Sequence, residues 1–387
     1  MSQKRTIGVL FGGRSTEHQV SLVSASSVMS ALNTEKYDIV PIGITLQGQW
    51  MTGKNAMTYL KTGSGPEPEH VFLPADPAQK QLLIASRELS VKLDVIFPVL
   101  HGSFGEDGTI QGVLELADLP YVGAGVLGSA VCMDKIVQKQ VCLHAGLPTV
   151  PYKWLHSIDW QKQQHTNESL VLNDQIGSAS HDDMLKHLAE ALGFPVFVKP
   201  ASLGSSVGIT KAKNVDELRY GIEQAVQYDR KVLVEAAVNN AREIEVSVLG
   251  NEHPKATVPG EVIPSNEFYD YDAKYVDGAS DLKIPAELPE SLVNKIQSAA
   301  IKSAIVTGVE GMARIDFLVN SETNEFVLNE INTIPGFTEI SMYPKLWEAS
   351  GLSYSQLLDE LINLALERHS QRASLSTRFN PKEEWYR

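Results

Sequence analysis

Two carboxylates and an amide stand at a spacing that can hold a hard metal ion. In Gly311–Pro344, the apolar runs Ala313–Val319 and Phe326–Ile331 flank the turn-forming residues Asn320, Ser321, Glu322, Thr323 and Asn324, a β-hairpin pattern. Side chains alternate with period two along a strand. Pairing Asn320 with Phe326 therefore sets Leu318 opposite Leu328, Asp316 opposite Glu330 and Arg314 opposite Asn332, all on one face. Facing carboxylates repel unless a cation or a proton sits between them. An oxygen-only donor set without His or Cys favours Mg²⁺ over Zn²⁺, and Mg²⁺ with so few protein ligands completes its shell with water and substrate phosphate. The hairpin thus predicts a nucleotide. A solvated hairpin face is the competing explanation; Arg314 beside the pair, in an otherwise apolar strand, favours a site.

Other stretches carry matching chemistry. Lys199 is the single charge in FPVFVKP and is costly to bury without an anionic partner. The following GSSVGITK, Gly204–Lys211, has glycines bracketing Ser205 and Ser206, so its backbone N–H groups are free to converge on phosphate and the loop can move as a lid; an ordinary hairpin turn is the alternative. Glu243 and Glu245 share one strand face. In HGSFGEDG a tight polar turn holds His101, Glu106 and Asp107 where a substrate would lie. FYDYDAKY, Phe268–Tyr275, is either a covering loop with a basic tip or an exposed amphipathic strand.

The elements that must position these groups are those of a soluble α/β protein. At 387 residues, 43% hydrophobic and 21% charged, the chain suits two or three domains. Its 33 basic and 47 acidic residues give a net charge of -14, which argues against nucleic acid or an acidic membrane as partner and requires a local basic pocket for any anion. Cys132 and Cys142 are the only cysteines, which points to a reducing compartment rather than a disulfide scaffold, and no secretory or spanning segment or internal repeat is expected.

Thr6–Phe11 and Tyr37–Ile44 read as strands around a helix that starts near Ser15 or Thr16, a parallel β-α-β opening with Glu17 at the ligand-bearing edge. Leu93–Leu100 is a further strand. Met133–Ala145 reads as a helix carrying Lys135, as do Met184–Leu192, Asp216–Tyr228, Glu290–Gly308 and Tyr354–His369, while KVLVEAAV is a strand ending near Glu235. The polar stretch between His156 and Asp183 is expected to be a surface insertion, and the tail from Gln371 to be loosely held. Two near-motifs are set aside. Gly48–Lys54 spells GxxxxGK without the following Ser/Thr or a clear helix, and Gly123, Gly125 and Gly128 spell GxGxxG without the expected downstream acid.

Taken in order, GGRSTEHQVS, HGSFGEDGTIQG, MDK, KPASLGSSVG, FYDYDAKY, GMARID and NEINTIPGFTEISMYP resemble the D-alanine–D-alanine ligase family of the ATP-grasp superfamily over nearly the whole chain. The resemblance implies an α/β (α+β ATP-grasp) fold: a parallel α/β substrate-binding domain over residues 1–124, a central ATP-grasp subdomain over 125–236 and a C-terminal one over 237–387, the last two with antiparallel sheets. It further implies ATP-dependent joining of two D-alanine molecules through an acyl phosphate, for peptidoglycan precursors, by a cytoplasmic homodimer. Asp316, Glu330 and Asn332 would hold two Mg²⁺ ions, with Mn²⁺ as substitute, and Arg314 would stabilise the oxyanion. Lys135, Lys199 and Lys274 would contact phosphates together with Ser206, Glu235, Ala236 and Val238 would meet adenine, and Glu243 would take the ribose. Glu17 would orient the first substrate through Ser205 and Tyr275; Ser341 and Met342 would bind the second, with His101 nearby. By the same resemblance, Tyr275 would favour the dipeptide over a D-lactate product. A silent ATP-binding protein and an NAD-binding oxidoreductase are the remaining alternatives.

Overall fold

Three sheets organise the chain in the computed structural model, which describes residues 4–86, 89–161, 180–204, 207–263 and 281–376. The first comprises β1 (Arg5–Gly12), β2 (Tyr37–Ile44), β3 (Trp50–Thr52), β4 (Glu69–Phe72), β5 (Gln81–Ile84), β6 (Leu89–Lys92) and β7 (Val95–Pro98), in the order β6-β5-β4-β3-β2-β1-β7. β1 pairs in parallel with β2 and β7, as expected of the opening. The sheet is mixed, however, because β3 to β6 extend it antiparallel from β2. Ile7, Val9 and Phe11 pack beneath α1 (His18–Ala31), while Leu10 joins Ile110 and Leu114 of α3 (Thr109–Leu116) on the other side, so the continuous apolar run of β1 is covered on both faces. A helix, α2 (Ala56–Thr62), does follow Lys54, but Gly48 and Gly53 simply flank β3.

The helix expected over Met133–Ala145 is α5 (Lys135–His144), which starts two residues later; a separate helix, α4 (Val126–Met133), precedes it across Asp134. Asp134 leaves helical geometry and caps α5 by accepting from the N–H groups of Ile136 and Val137. The GxGxxG glycines allow close packing: a Cβ on Gly128 would lie 2.6 Å from the Gly308 carbonyl oxygen.

The second sheet, antiparallel in the order β10-β9-β11-β8, comprises β8 (Tyr152–His156), β9 (Val196–Pro200), β10 (Thr210–Ala212) and β11 (Lys231–Ala236). Its valines at 196, 198, 232 and 234 pack against α7 (His181–Leu192) and α8 (Val215–Ala225), leaving Lys199 and Glu235 on the opposite face. Of the polar insertion, α6 (Ser157–Gln161) is described and residues 162–179 lie outside the described residues.

β12 (Ala241–Gly250), β13 (Lys255–Ala256), β14 (Gly260–Ile263), β15 (Asp281–Lys283), β16 (Gly311–Asn320) and β17 (Phe326–Asn332) form the third sheet, also antiparallel. Ile244, Val246, Ile315, Phe317 and Leu328 bury one face under α9 (Glu290–Thr307), with Cys132 and Cys142 from α4 and α5 in the same core. Both cysteines are free. The chain closes with α10 (Met342–Ala349) and α11 (Tyr354–Ala373). The last helix runs past Gln371 and packs Leu357, Leu358 and Leu361 into the core of the first sheet.

Candidate active site

Where the polar faces of the second and third sheets meet the 101–106 turn, the chain encloses a cavity of about 1120 Å³. One wall is the β16–β17 hairpin. Asp316 faces Glu330 and Arg314 faces Asn332 as expected, but the turn pairing is one residue off: Val319, not Asn320, faces Phe326, and Phe317, not Leu318, faces Leu328. A bulge between Asp316 and Phe317 in the ladder absorbs the difference at Asn329. Asn329 consequently lines the cavity beside Glu330.

Arg314 grips Asp316 with both ends of its guanidinium, Nε to Oδ1 at 2.8 Å and Nη2 to Oδ2 at 2.7 Å, and Nε lies 2.9 Å from Glu245 Oε2 on the neighbouring strand. Burial disfavours its charge, but Asp316 and Glu245 outweigh that and hold it well above the usual guanidinium range. Asn332 Nδ2 donates to Asp316 Oδ2 at 3.0 Å. Asp316, Glu330 and Asn332 thus cluster as an oxygen-bearing set, and the near-symmetric carboxamide of Asn332 can offer its oxygen from the same place; this donor chemistry fits a hard divalent cation.

The opposite wall is cationic. Lys135, the first residue of α5, donates to the Leu203 carbonyl at 2.8 Å and lies 3.5 Å from Glu330 Oε2, so it spans from the second sheet's loop to the hairpin. The anionic partner demanded by Lys199 is Glu235, 2.6 Å away, and Lys139 sits 2.6 Å from the other oxygen of the same carboxylate. Burial would raise the Glu235 carboxyl, yet the two lysines pull it down to about 2. Ala236, Val238 and Glu243 line the cavity next to Glu235.

At the end formed by the first sheet, Glu17 is 6% exposed and wedged between glycines: a Cβ on Gly102, which has φ 71°, would lie 2.4 Å from Glu17 Oε2, and one on Gly204 would lie 2.9 Å away. His101 donates through Nδ1 to the Ile334 carbonyl at 2.8 Å and its Nε2 lies 3.1 Å from Ser24 Oγ; burial lowers its pKa, which keeps the ring neutral. Its role in this fold is to join the first sheet to the segment after β17. Ser341, just before α10, accepts from the Thr338 N–H at 3.0 Å, with Met342 buried beside it. Ser205, Ser206, Lys274 and Tyr275 lie outside the described residues.

Four residues of the site escaped assignment from sequence. Glu245 and Lys139 are bound to Arg314 and Glu235 by contacts between distant segments, and Asn329 is placed by the bulge. Glu106 accepts from the Gly102 N–H at 2.8 Å and the Ile334 N–H at 2.9 Å; burial and the charge of Glu17 push its carboxyl up to about 8 against those bonds. Only its place in the polar turn hinted at this.

Two family models match, "D-ala D-ala ligase N-terminus" over residues 6–124 and "D-ala D-ala ligase C-terminus" over residues 141–363. A D-alanine–D-alanine ligase of Natranaerobius thermophilus is 46% identical over 380 residues, covering 98% of this chain and 99% of the relative. One of Clostridium acetobutylicum is 47% identical, covering 95% and 99%. Among solved structures, the D-alanine-D-alanine ligase from Coxiella burnetii superposes with a TM-score of 0.79 at 36% identity, covering 96% of this chain and 97% of that one. The VanG D-Ala:D-Ser ligase from Enterococcus faecalis superposes with 0.80 at 35%, covering 94% and 100%. With both halves matched and near-complete coverage by relatives well above the identity at which families diverge, this chain belongs to the D-alanine–D-alanine ligase family.

Proposed function

We propose that the protein joins two molecules of D-alanine into D-alanyl-D-alanine with hydrolysis of ATP to ADP and phosphate, as a step toward peptidoglycan precursors. The observation that carries this is the opposition, across one cavity, of the lysines at 135 and 199 to the oxygen donors at 316, 330 and 332, with Glu17 at the far end. ATP would lie between the second and third sheets, adenine by Glu235, Ala236 and Val238, ribose by Glu243, and phosphates toward Lys135, Lys199, Ser206 and Lys274.

A carboxylate is a poor acyl donor until one oxygen becomes a leaving group. In the first step an oxygen of the first D-alanine carboxylate bonds to the γ-phosphorus as the bond to ADP breaks. In the second, the amine of the other D-alanine, having lost a proton, bonds to the acyl carbon, and the C–O bond breaks to release phosphate. Lysine charges screen the repulsion between the two anions in the first step. Asp316, Glu330 and Asn332 would hold Mg²⁺, which supplies further neutralisation of phosphate charge. Arg314, aimed by its bidentate contact to Asp316 and by Glu245, would stabilise the oxyanion of the second step. Glu17, acting with Ser205 and Tyr275, would orient the ammonium of the first substrate, and Ser341 and Met342 the carboxylate of the second, near His101. Two free buried cysteines favour the cytoplasm as the place of action.

Purified protein given ATP, Mg²⁺ and D-alanine should release phosphate only when all three are present, with the dipeptide identified by mass. No phosphate release would overturn the proposal. Adding D-serine or D-lactate in competition tests the acceptor, and D-alanine should dominate the product.

A further inference from the structure

Glu235 ends β11 with its carboxylate buried and a lysine on each oxygen, and the two lysines are not equivalent. Lys199 lines the cavity and its side chain is 13% exposed; Lys139 is fully buried and does not reach the cavity surface. Lys139 lies one helical turn after Lys135 on the same face of α5, so one helix aims one ammonium at the hairpin and the next at the second sheet. The start of that helix is held by Asp134, which caps it and is ion-paired with Lys231 of β11.

A buried carboxylate requires a compensating charge nearby. If Lys199 alone supplied it, the pair would present no net charge to the cavity. With Lys139 on the protein side of Glu235, the three groups sum to one positive charge, and that charge resides on the cavity side. Burial lowers the Lys139 pKa, the carboxylate 2.6 Å away offsets that in part, and the charges of Lys199 and Lys135 add to the lowering, so the ammonium of Lys139 depends on Glu235.

We propose that Lys139 is a positioning residue for the nucleotide: it provides the buried countercharge of Glu235 and so leaves the charge of Lys199 available to a phosphate, without touching the ligand itself. The inference rests on the reading that this cavity takes ATP. It separates two parts of the ligand, because the charged phosphates respond to the net charge of the triad whereas uncharged adenosine does not.

The test compares the full-length protein with Lys139→Met and Lys139→Gln, measuring the dissociation constants of ATP and of adenosine by calorimetry and the KM for D-alanine. Loss of one nearby charge should weaken ATP on the order of tenfold, while adenosine affinity and the D-alanine KM stay within about twofold. Wild-type protein that fails to bind ATP would overturn the cavity assignment itself. Wild-type binding with an equally tight Lys139→Met variant would overturn this inference alone. Equal losses of ATP and adenosine, or failure of both variants to fold, would make Lys139 a packing residue and overturn it as well.

Discussion

At the residue scale, the site is a set of charges that no member could hold alone. Asp316 is shared by Arg314 and Asn332, and Arg314 is in turn aimed by Glu245, so removing Arg314 would take the cation from two buried carboxylates at once. Glu330 differs, since it stands at the cavity surface, 3.5 Å from Lys135. Glu330→Gln is therefore expected to lower turnover by at least about 100-fold while the melting temperature stays within about 2 °C. Steady-state phosphate release and a thermal scan on the same preparation check this; a folded variant turning over at the wild-type rate would remove Glu330 from the metal set. The facing of Asp316 and Glu330 was legible in sequence because it follows from alternation along two paired strands. The bulge at Asn329 was not, since one extra residue in a strand leaves no mark in the pattern of apolar residues.

At the element scale, α5 matters most, because its first two turns carry Lys135 and Lys139 into the site. Its start is set by Asp134, whose one oxygen accepts two backbone N–H groups and whose other pairs with Lys231. Asp134→Ala should cost about 1–2 kcal/mol of stability, read as a lower urea midpoint at unchanged slope, and should raise the KM for ATP more than that for D-alanine. The helix expected from Met133 starts at Lys135 instead. An Asp before a lysine-rich helical run is a standard cap signal, but the apolar periodicity continues across it and masks the boundary.

At the scale of the whole molecule, two buried groups tie the ends of the chain together. Arg368 of α11, 6% exposed, donates to the Gly123 carbonyl at 2.5 Å and the Tyr121 carbonyl at 2.8 Å. Arg368→Leu should destabilise the protein by about 2–4 kcal/mol through the two lost charge-assisted bonds, with the KM values little changed; denaturant titration and kinetics on one sample decide it. Glu106 bridges the first sheet to Ile334 with a carboxyl pushed up to about 8. Unfolded, it titrates near its ordinary value of about 4.3. The folded state therefore binds the extra proton between these values: the stability it confers is full below about 4.3 and is lost as pH rises through about 8. Glu106→Gln should flatten that part of the stability profile, and melting temperatures from pH 5 to 8 that decline equally in both proteins would contradict the assignment.

By itself the amino-acid sequence determined what depends on near neighbours and periodicity: the strands around α1, the hairpin with its facing acids, the lysine in β9 that needed an anion, and the ordered motifs of the family. Tertiary structure alone decided which anion that was, that a second lysine lies behind it, that antiparallel strands extend the first sheet, and that α11 returns to pack against β7 and α1 of the first sheet. Each of these joins segments far apart in the chain. Such contacts are chosen by how whole faces pack and how buried charges find partners, and local spacing carries no record of either.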